Sequence, residues 1–123
     1  MKPYILVIED QDDNRRIVRD LLTSAGMAVL EARDGAEGVR MAATMKPDVI
    51  LMDIQMPIMD GYEATRRIRS AAETKHIPII VVTSYALSGD DAKAHLAGAS
   101  AYIAKPFSPR VLLAKIRELL GPA

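Results

Sequence analysis

The chain has no cysteine and no tryptophan, and only one phenylalanine. Without cysteine there is no disulfide framework and no thiol chemistry, which suits a reducing cytoplasm. Neither sign of charge is in excess, since Lys plus Arg and Asp plus Glu number 16 each. That balance argues against wholesale attraction to nucleic acid or to an anionic membrane surface. No apolar run approaches the length of a membrane span, and the opening Met1-Lys2-Pro3 lacks the apolar stretch of a signal peptide. No Gly-x-Gly-x-x-Gly follows the first strand-like segment and no Walker lysine motif occurs, so dinucleotide and ordinary nucleoside triphosphate sites lack support. There is no internal repeat and no low-complexity tract. The 123 residues are half hydrophobic, enough for one domain with one core, expected over 1–123.

What is present is a set of short apolar runs that end on reactive or ligating groups. Tyr4 to Ile8 is followed by Glu9-Asp10, and Val49 to Met52 by Asp53. Ile79 to Val82 is followed by Thr83, and Ser100 to Ala104 by Lys105. Runs this short and apolar on both faces read as buried strands, the last of them more polar and nearer an edge. Met27 to Glu31 reads as a further strand, at the sheet edge.

Helical stretches separate the strands. Asp12 to Ala25 carries an apolar stripe of Ile17, Val18, Leu21, Leu22 and Ala25, against a polar face with Asp13, Arg15, Arg16, Arg19 and Asp20, and Gly26 ends it. Asp34 and Glu37 form a capping box for a helix expected to bury Ala36, Val39, Ala42 and Ala43. Asp60 and Glu63 cap a helix running to about Ala72, with Tyr62, Thr65 and Ile68 inward. Ser88 with Asp91 begins the next, ended by Gly98, and Ser108-Pro109 begins the last. Strict alternation of five strands and five helices implies crossover helices, parallel strands and helices on both sheet faces. In such a sheet the four polar groups gather at one edge, where open α/β sheets place their sites.

The chemistry at that edge can be derived. Three crowded carboxylates, Glu9, Asp10 and Asp53, are costly unless a cation joins them, and oxygen ligands favour Mg²⁺ or Mn²⁺ over zinc. An aspartate can attack phosphorus and form an acyl phosphate. The transferred oxygens then need positive charge, from a divalent ion and from the Lys105 ammonium, while the Thr83 hydroxyl can donate to a third oxygen. Asp53 is the preferred nucleophile because its strand is central. Asp10 is the preferred direct metal ligand, and Glu9 acts directly or through metal-bound water. The competing reading is that these acids only cap loops and face water.

The combination of Glu9-Asp10, Asp53 with Met56-Pro57 and Asp60-Gly61, Thr83, and Lys105-Pro106 resembles the response-regulator receiver family of two-component signalling, across essentially the entire chain. The resemblance implies a doubly wound (βα)5, flavodoxin-like three-layer sandwich. The sheet order 2-1-3-4-5 comes from it and not from periodicity. It implies that Asp53 takes a phosphoryl group from phosphohistidine, with Mg²⁺ held by Glu9, Asp10, Asp53 and the Gln55 backbone carbonyl. Lys105 would pair with a phosphoryl oxygen, through a cis Lys105–Pro106 bond, and Thr83 and Tyr102 would move together as the switch. The implied donor is a sensor histidine kinase or a histidine phosphotransfer protein. The implied readout is a downstream protein partner or a homodimer through the helix 4–strand 5–helix 5 face.

Other features remain open or weigh less. Tyr85 either crowds the route of hydrolytic water or points outward. Tyr102 could simply pack against the last helix. His76 and His95 read as ordinary surface residues, not zinc ligands. Arg15, Arg16 and Arg19, and Arg66, Arg67 and Arg69, read as solvated helix faces. Three alternatives stand beside the phosphoacceptor switch: a phosphorylation-independent interaction domain, a receiver module cut from a hybrid kinase or multidomain regulator, and a haloacid-dehalogenase-like phosphatase. The last is disfavoured because its second aspartate would fall at Gln55.

Overall fold

A computed structural model of the chain describes residues 2–83 and 90–121, the side chains of 90 and 91 excepted. The elements run β1 (Tyr4–Ile8), α1 (Asp12–Ser24), β2 (Ala28–Ala32), α2 (Gly35–Met45), β3 (Val49–Asp53), α3 (Gly61–Ser70), β4 (Ile79–Thr83), α4 (Asp90–Ala97), β5 (Ala101–Ala104) and α5 (Pro109–Leu120). All strand pairs are parallel, in the order β2-β1-β3-β4-β5. The chain is thus the flavodoxin-like sandwich that the resemblance implied, with β2 and β5 at the edges.

The two-residue period of the strands sorts the core into two layers. Ile5, Val7, Val49, Leu51, Ile80, Val82 and Ile103 meet Leu22 of α1 and Leu112 and Ile116 of α5. Leu6, Ile8, Ile50, Met52, Ile79 and Val81 meet Ala42 of α2, Ala64 and Ile68 of α3, and Ala94 of α4. Each large aliphatic side chain so buried contributes about 1.5–3 kcal/mol.

The helix starts follow the capping chemistry. The Asp34 and Asp60 carboxylates accept from the N–H groups of Glu37 and Glu63 at 2.8 and 2.9 Å, and the Ser108 hydroxyl accepts from Val111 at 3.2 Å. Pro109 fills the first turn of α5, where no N–H is needed. Gly26 and Gly98 take positive φ just past α1 and α4, as their placement predicted. α3 stops at Ser70, slightly earlier than expected. The Ser88 cap lies outside the described residues, as does the Asp91 side chain.

On α2 and α1, burial departs from expectation. Ala36 and Ala43 are exposed; α2 instead turns Gly35, Gly38 and Ala42 inward. Glycine is what lets this helix come so close, because a Cβ on Gly38 would run into the Ile8 side chain. A search for large apolar residues misses such a face. Ile17 is 65% exposed and not part of the core. It sits where α1 and α5 part from each other, so no neighbouring helix covers it.

Candidate functional site

The parallel register Ile8↔Met52 sets the C-terminal ends of β1 and β3 side by side, so Glu9 and Asp53 follow on adjacent strands. Both are buried, and Asp10 beside them is half-buried. Carboxylate oxygens of Glu9, Asp10 and Asp53 all lie within 4.8 Å of one another. Lys105 reaches in from the end of β5: its Nζ is 3.3 Å from Glu9 Oε1 and 3.5 Å from Asp53 Oδ1. Its backbone N–H donates to the Thr83 carbonyl at 2.7 Å, and the Lys105–Pro106 peptide is cis.

One ammonium does not balance three acids. Burial pushes the Asp53 carboxyl above the ordinary aspartate range, while the charge and the hydrogen bond of Lys105 pull it partly back. Asp10 is likewise raised, by burial first and then by the hydrogen bond and charge of Glu9. Its Oδ1 is buried and has no hydrogen-bond partner, which is costly for a carboxylate. A hard cation placed among these oxygens would satisfy the orphaned atom and neutralise the crowding. The oxygen-only donor set fits Mg²⁺, which takes one or two carboxylates and keeps much of its water.

The remaining expected residues fall around this centre. Thr83 is buried at the end of β4, one residue beyond the partner of Asp53 in the register Asp53↔Val82. Gln55 sits at the apex of a tight turn after β3, where the Met56 N–H donates to the Ile54 carbonyl at 3.2 Å. That turn uses the carbonyl of Ile54, not that of Gln55. Tyr102 is half-buried on β5, and it packs on the α2–α3–α4 side of the sheet, not against α5. The period-two alternation explains this: Ile103, its neighbour, faces α5. His76 and His95 are exposed, and among the described residues the acidic trio is the only cluster able to hold a metal. Ser84 and Tyr85 lie outside the described residues.

Two contributors to the site escape a sequence reading. Arg15, expected on a solvated face, is largely buried. Its guanidinium donates to the Glu9 carbonyl at 3.0 Å, to Glu31 at 3.1 Å and to Asp12 at 2.7 Å. It therefore ties the Glu9-Asp10 turn to α1 and β2. Helical spacing shows which way Arg15 points relative to α1, but not that a strand-end carbonyl waits there. Gly61 is the second. Its N–H donates to the Ile54 carbonyl at 2.9 Å, and a Cβ there would collide with the Asp53 carbonyl. Its Asp-Gly signal was visible, but the close approach to the backbone of Asp53 was not. The loop between them also holds Ile58 at φ 69°, fully exposed.

Comparison with known proteins agrees with this geometry. The family model for the response regulator receiver domain matches residues 5–117. The polar-differentiation response regulators DivK of Brucella anthropi and Brucella ovis are each 37% identical over 123 residues, covering 100% of both chains. The receiver domain of the sensor histidine kinase PA1611 of Pseudomonas aeruginosa, with a magnesium ion coordinated in its active-site cleft, superposes with a TM-score of 0.92. That pair is 37% identical over 99% of this chain and 100% of the other. The Vibrio cholerae chemotaxis protein CheY4 gives a TM-score of 0.91 at 29% identity, covering 97% of this chain and 99% of its own. With its parallel sheet, its acidic trio and its opposed lysine, this chain belongs to the response regulator receiver domain family of two-component signalling.

Proposed function

We propose that the chain is a Mg²⁺-dependent phosphoacceptor switch, a single receiver unit over residues 1–123 in which Asp53 takes a phosphoryl group from phosphohistidine. An Asp53 oxygen forms the new O–P bond as the P–N bond breaks, and the electron pair returns to the imidazole. Asp10 and Asp53, with Glu9 directly or through water and the Gln55 carbonyl, would hold Mg²⁺, which offsets charge on the transferring oxygens when bound. Lys105 exchanges its carboxylate partners for a phosphoryl oxygen. Thr83 donates its hydroxyl to another oxygen, and Tyr102 follows it. The phosphoryl group acts on the equilibrium by binding the active arrangement better than the resting one.

The observation that carries this reading is the lysine ammonium held between Glu9 and Asp53, beside the orphaned oxygen of Asp10. The donor is a sensor histidine kinase or a histidine phosphotransfer protein. The output is a downstream protein or a homodimer through α4, β5 and α5, where Leu96 and Val111 are exposed. No direct nucleic-acid contact belongs to this reading. The protein works in the cytoplasm and catalyses only its own phosphorylation and hydrolytic dephosphorylation. No helix among the described residues is long and apolar enough to cross a membrane.

A second reading concerns context only. The chain is as similar to a module of a sensor kinase as to the DivK regulators, so the same switch fits either a free regulator or part of a larger protein. Intact mass after incubation with acetyl phosphate tests the proposal. One phosphoryl adduct is expected with Mg²⁺, absent without it and absent in Asp53→Ala. An unmodified native chain, under conditions that label a control receiver, would favour a phosphorylation-independent interaction domain.

A further inference from the structure

A cavity of about 530 Å³ lies between α1 and α5, and one end of it is the phosphoacceptor site. Glu9, Asp53 and Lys105 line that end; Val18, Leu21 and Phe107 are among its apolar walls. The floor is the sheet itself. Val7, Leu51 and Val82 keep 3, 4 and 7% exposure, whereas Ile5, Val49 and Ile80, two residues earlier on the same strands, keep 0%. The two helices therefore seal the sheet at its lower end, where Leu22 and Ile116 are at 0%, and diverge toward Asp53. The volume is that of a small-molecule site.

The direction of Asp53 gives the cavity a use. Val49 and Leu51 precede it at two-residue spacing and face α1 and α5, so its side chain leaves the sheet on that same side. A phosphoryl group attacked by Asp53 then lies at that end of the cavity, within reach of its apolar walls.

We propose that the cavity accepts the acyl chain of an acyl phosphate donor of medium length, such as hexanoyl phosphate. This rests on the phosphoacceptor reading above. The phosphate head suits Lys105 and the cation-binding acids, and the aliphatic tail suits the apolar walls. In the step, an Asp53 carboxylate oxygen bonds to phosphorus and the bond from phosphorus to the bridging acyl oxygen breaks. The electron pair leaves with the free carboxylate of the acid, so no proton and no further reactant is needed. A longer chain leaves the basicity of the departing carboxylate almost unchanged, so a rate difference reports binding of the tail.

The experiment compares initial labelling rates with acetyl, butyryl and hexanoyl phosphate, each well below saturation and at saturating Mg²⁺, by intact mass. Each methylene removed from water is worth about fourfold at most. The hexanoyl rate should therefore exceed the acetyl rate by about tenfold or more. Val18→Phe, which narrows the cavity between its apolar walls, should lower the hexanoyl-to-acetyl ratio. The ratio is taken within one protein, so a general loss of activity cancels. If that variant does not fold, 1-hexanol added to the native chain should slow labelling by hexanoyl phosphate and not by acetyl phosphate. A native ratio near one overturns the proposal. So does a high ratio that neither Val18→Phe nor hexanol lowers. Failure of acetyl phosphate and all the longer donors alike would instead strike the phosphoacceptor reading, and this proposal with it.

Discussion

Asp10 and Asp53 are carboxyls that folding makes harder to ionise, because burial outweighs the positive charge nearby. A group whose pKa is raised on folding gives stability that is fully present below its unfolded value, 3.8 here, and is lost as pH rises through the folded value. At neutral pH the ionised pair therefore works against the fold. Asp10→Asn should raise the melting temperature at pH 7 in the absence of divalent ions, and the gain should vanish well below pH 3.8. Adding Mg²⁺ should then raise the native melting temperature and leave that of the variant nearly unmoved. A variant that melts lower than the native chain at pH 7 without metal would contradict this electrostatic account. Arg15 offers a complementary test, because its guanidinium fixes the turn that carries two of the acids. Arg15→Met leaves the Glu9 carbonyl without its donor and Glu31 with only the 3.6 Å pairing to Arg19, at about 1–3 kcal/mol of stability. It should also weaken Mn²⁺ or Mg²⁺ binding several-fold by calorimetric titration. Unchanged metal affinity would show that the turn holds its own shape.

Among the elements, the strands and caps were legible because each rests on local chemistry. Apolar runs bounded by polar residues marked β1, β3 and β4 to within a residue, and Asp34, Asp60 and Ser108 marked their helix starts. The faces of α1 and α2 were less legible. Ile17 looks like a core residue by spacing, yet its exposure depends on how far α5 stands from α1. α2 hides glycine where a core search looks for bulk. The same logic applies at the start of α3, where Gly61 lets the helix abut β3 directly. Gly61→Ala brings a methyl group against backbone, which cannot swing aside. We expect a loss of about 1–3 kcal/mol in denaturant unfolding. Labelling by acetyl phosphate should slow in the same variant, because the displaced backbone is that of Asp53 and Ile54. Native stability and native labelling together would mean that the β3–α3 loop is slack.

At the scale of the whole molecule, strict alternation gave parallel strands and hence one reactive edge, but it could not give the order of the strands. That order needed the family resemblance, because periodicity is blind to which strands become neighbours. Once β1 and β3 are adjacent, the acidic trio follows from register alone. The cavity between α1 and α5 had no counterpart in the sequence, since it is set by the divergence of two helices far apart in the chain. Lys105 likewise meets Glu9 because the last strand closes the sheet on the side of Asp53. The proposed switch therefore depends on where the phosphoryl group goes. The most direct measurement is to phosphorylate the chain from a phosphohistidine-bearing phosphotransfer protein with Mg²⁺ present, reduce with borohydride, and map the products by peptide mass. Borohydride converts an aspartyl phosphate to homoserine, and the account predicts that conversion at Asp53 alone. Homoserine at Asp10 or another aspartate, or a label on a histidine, would contradict it.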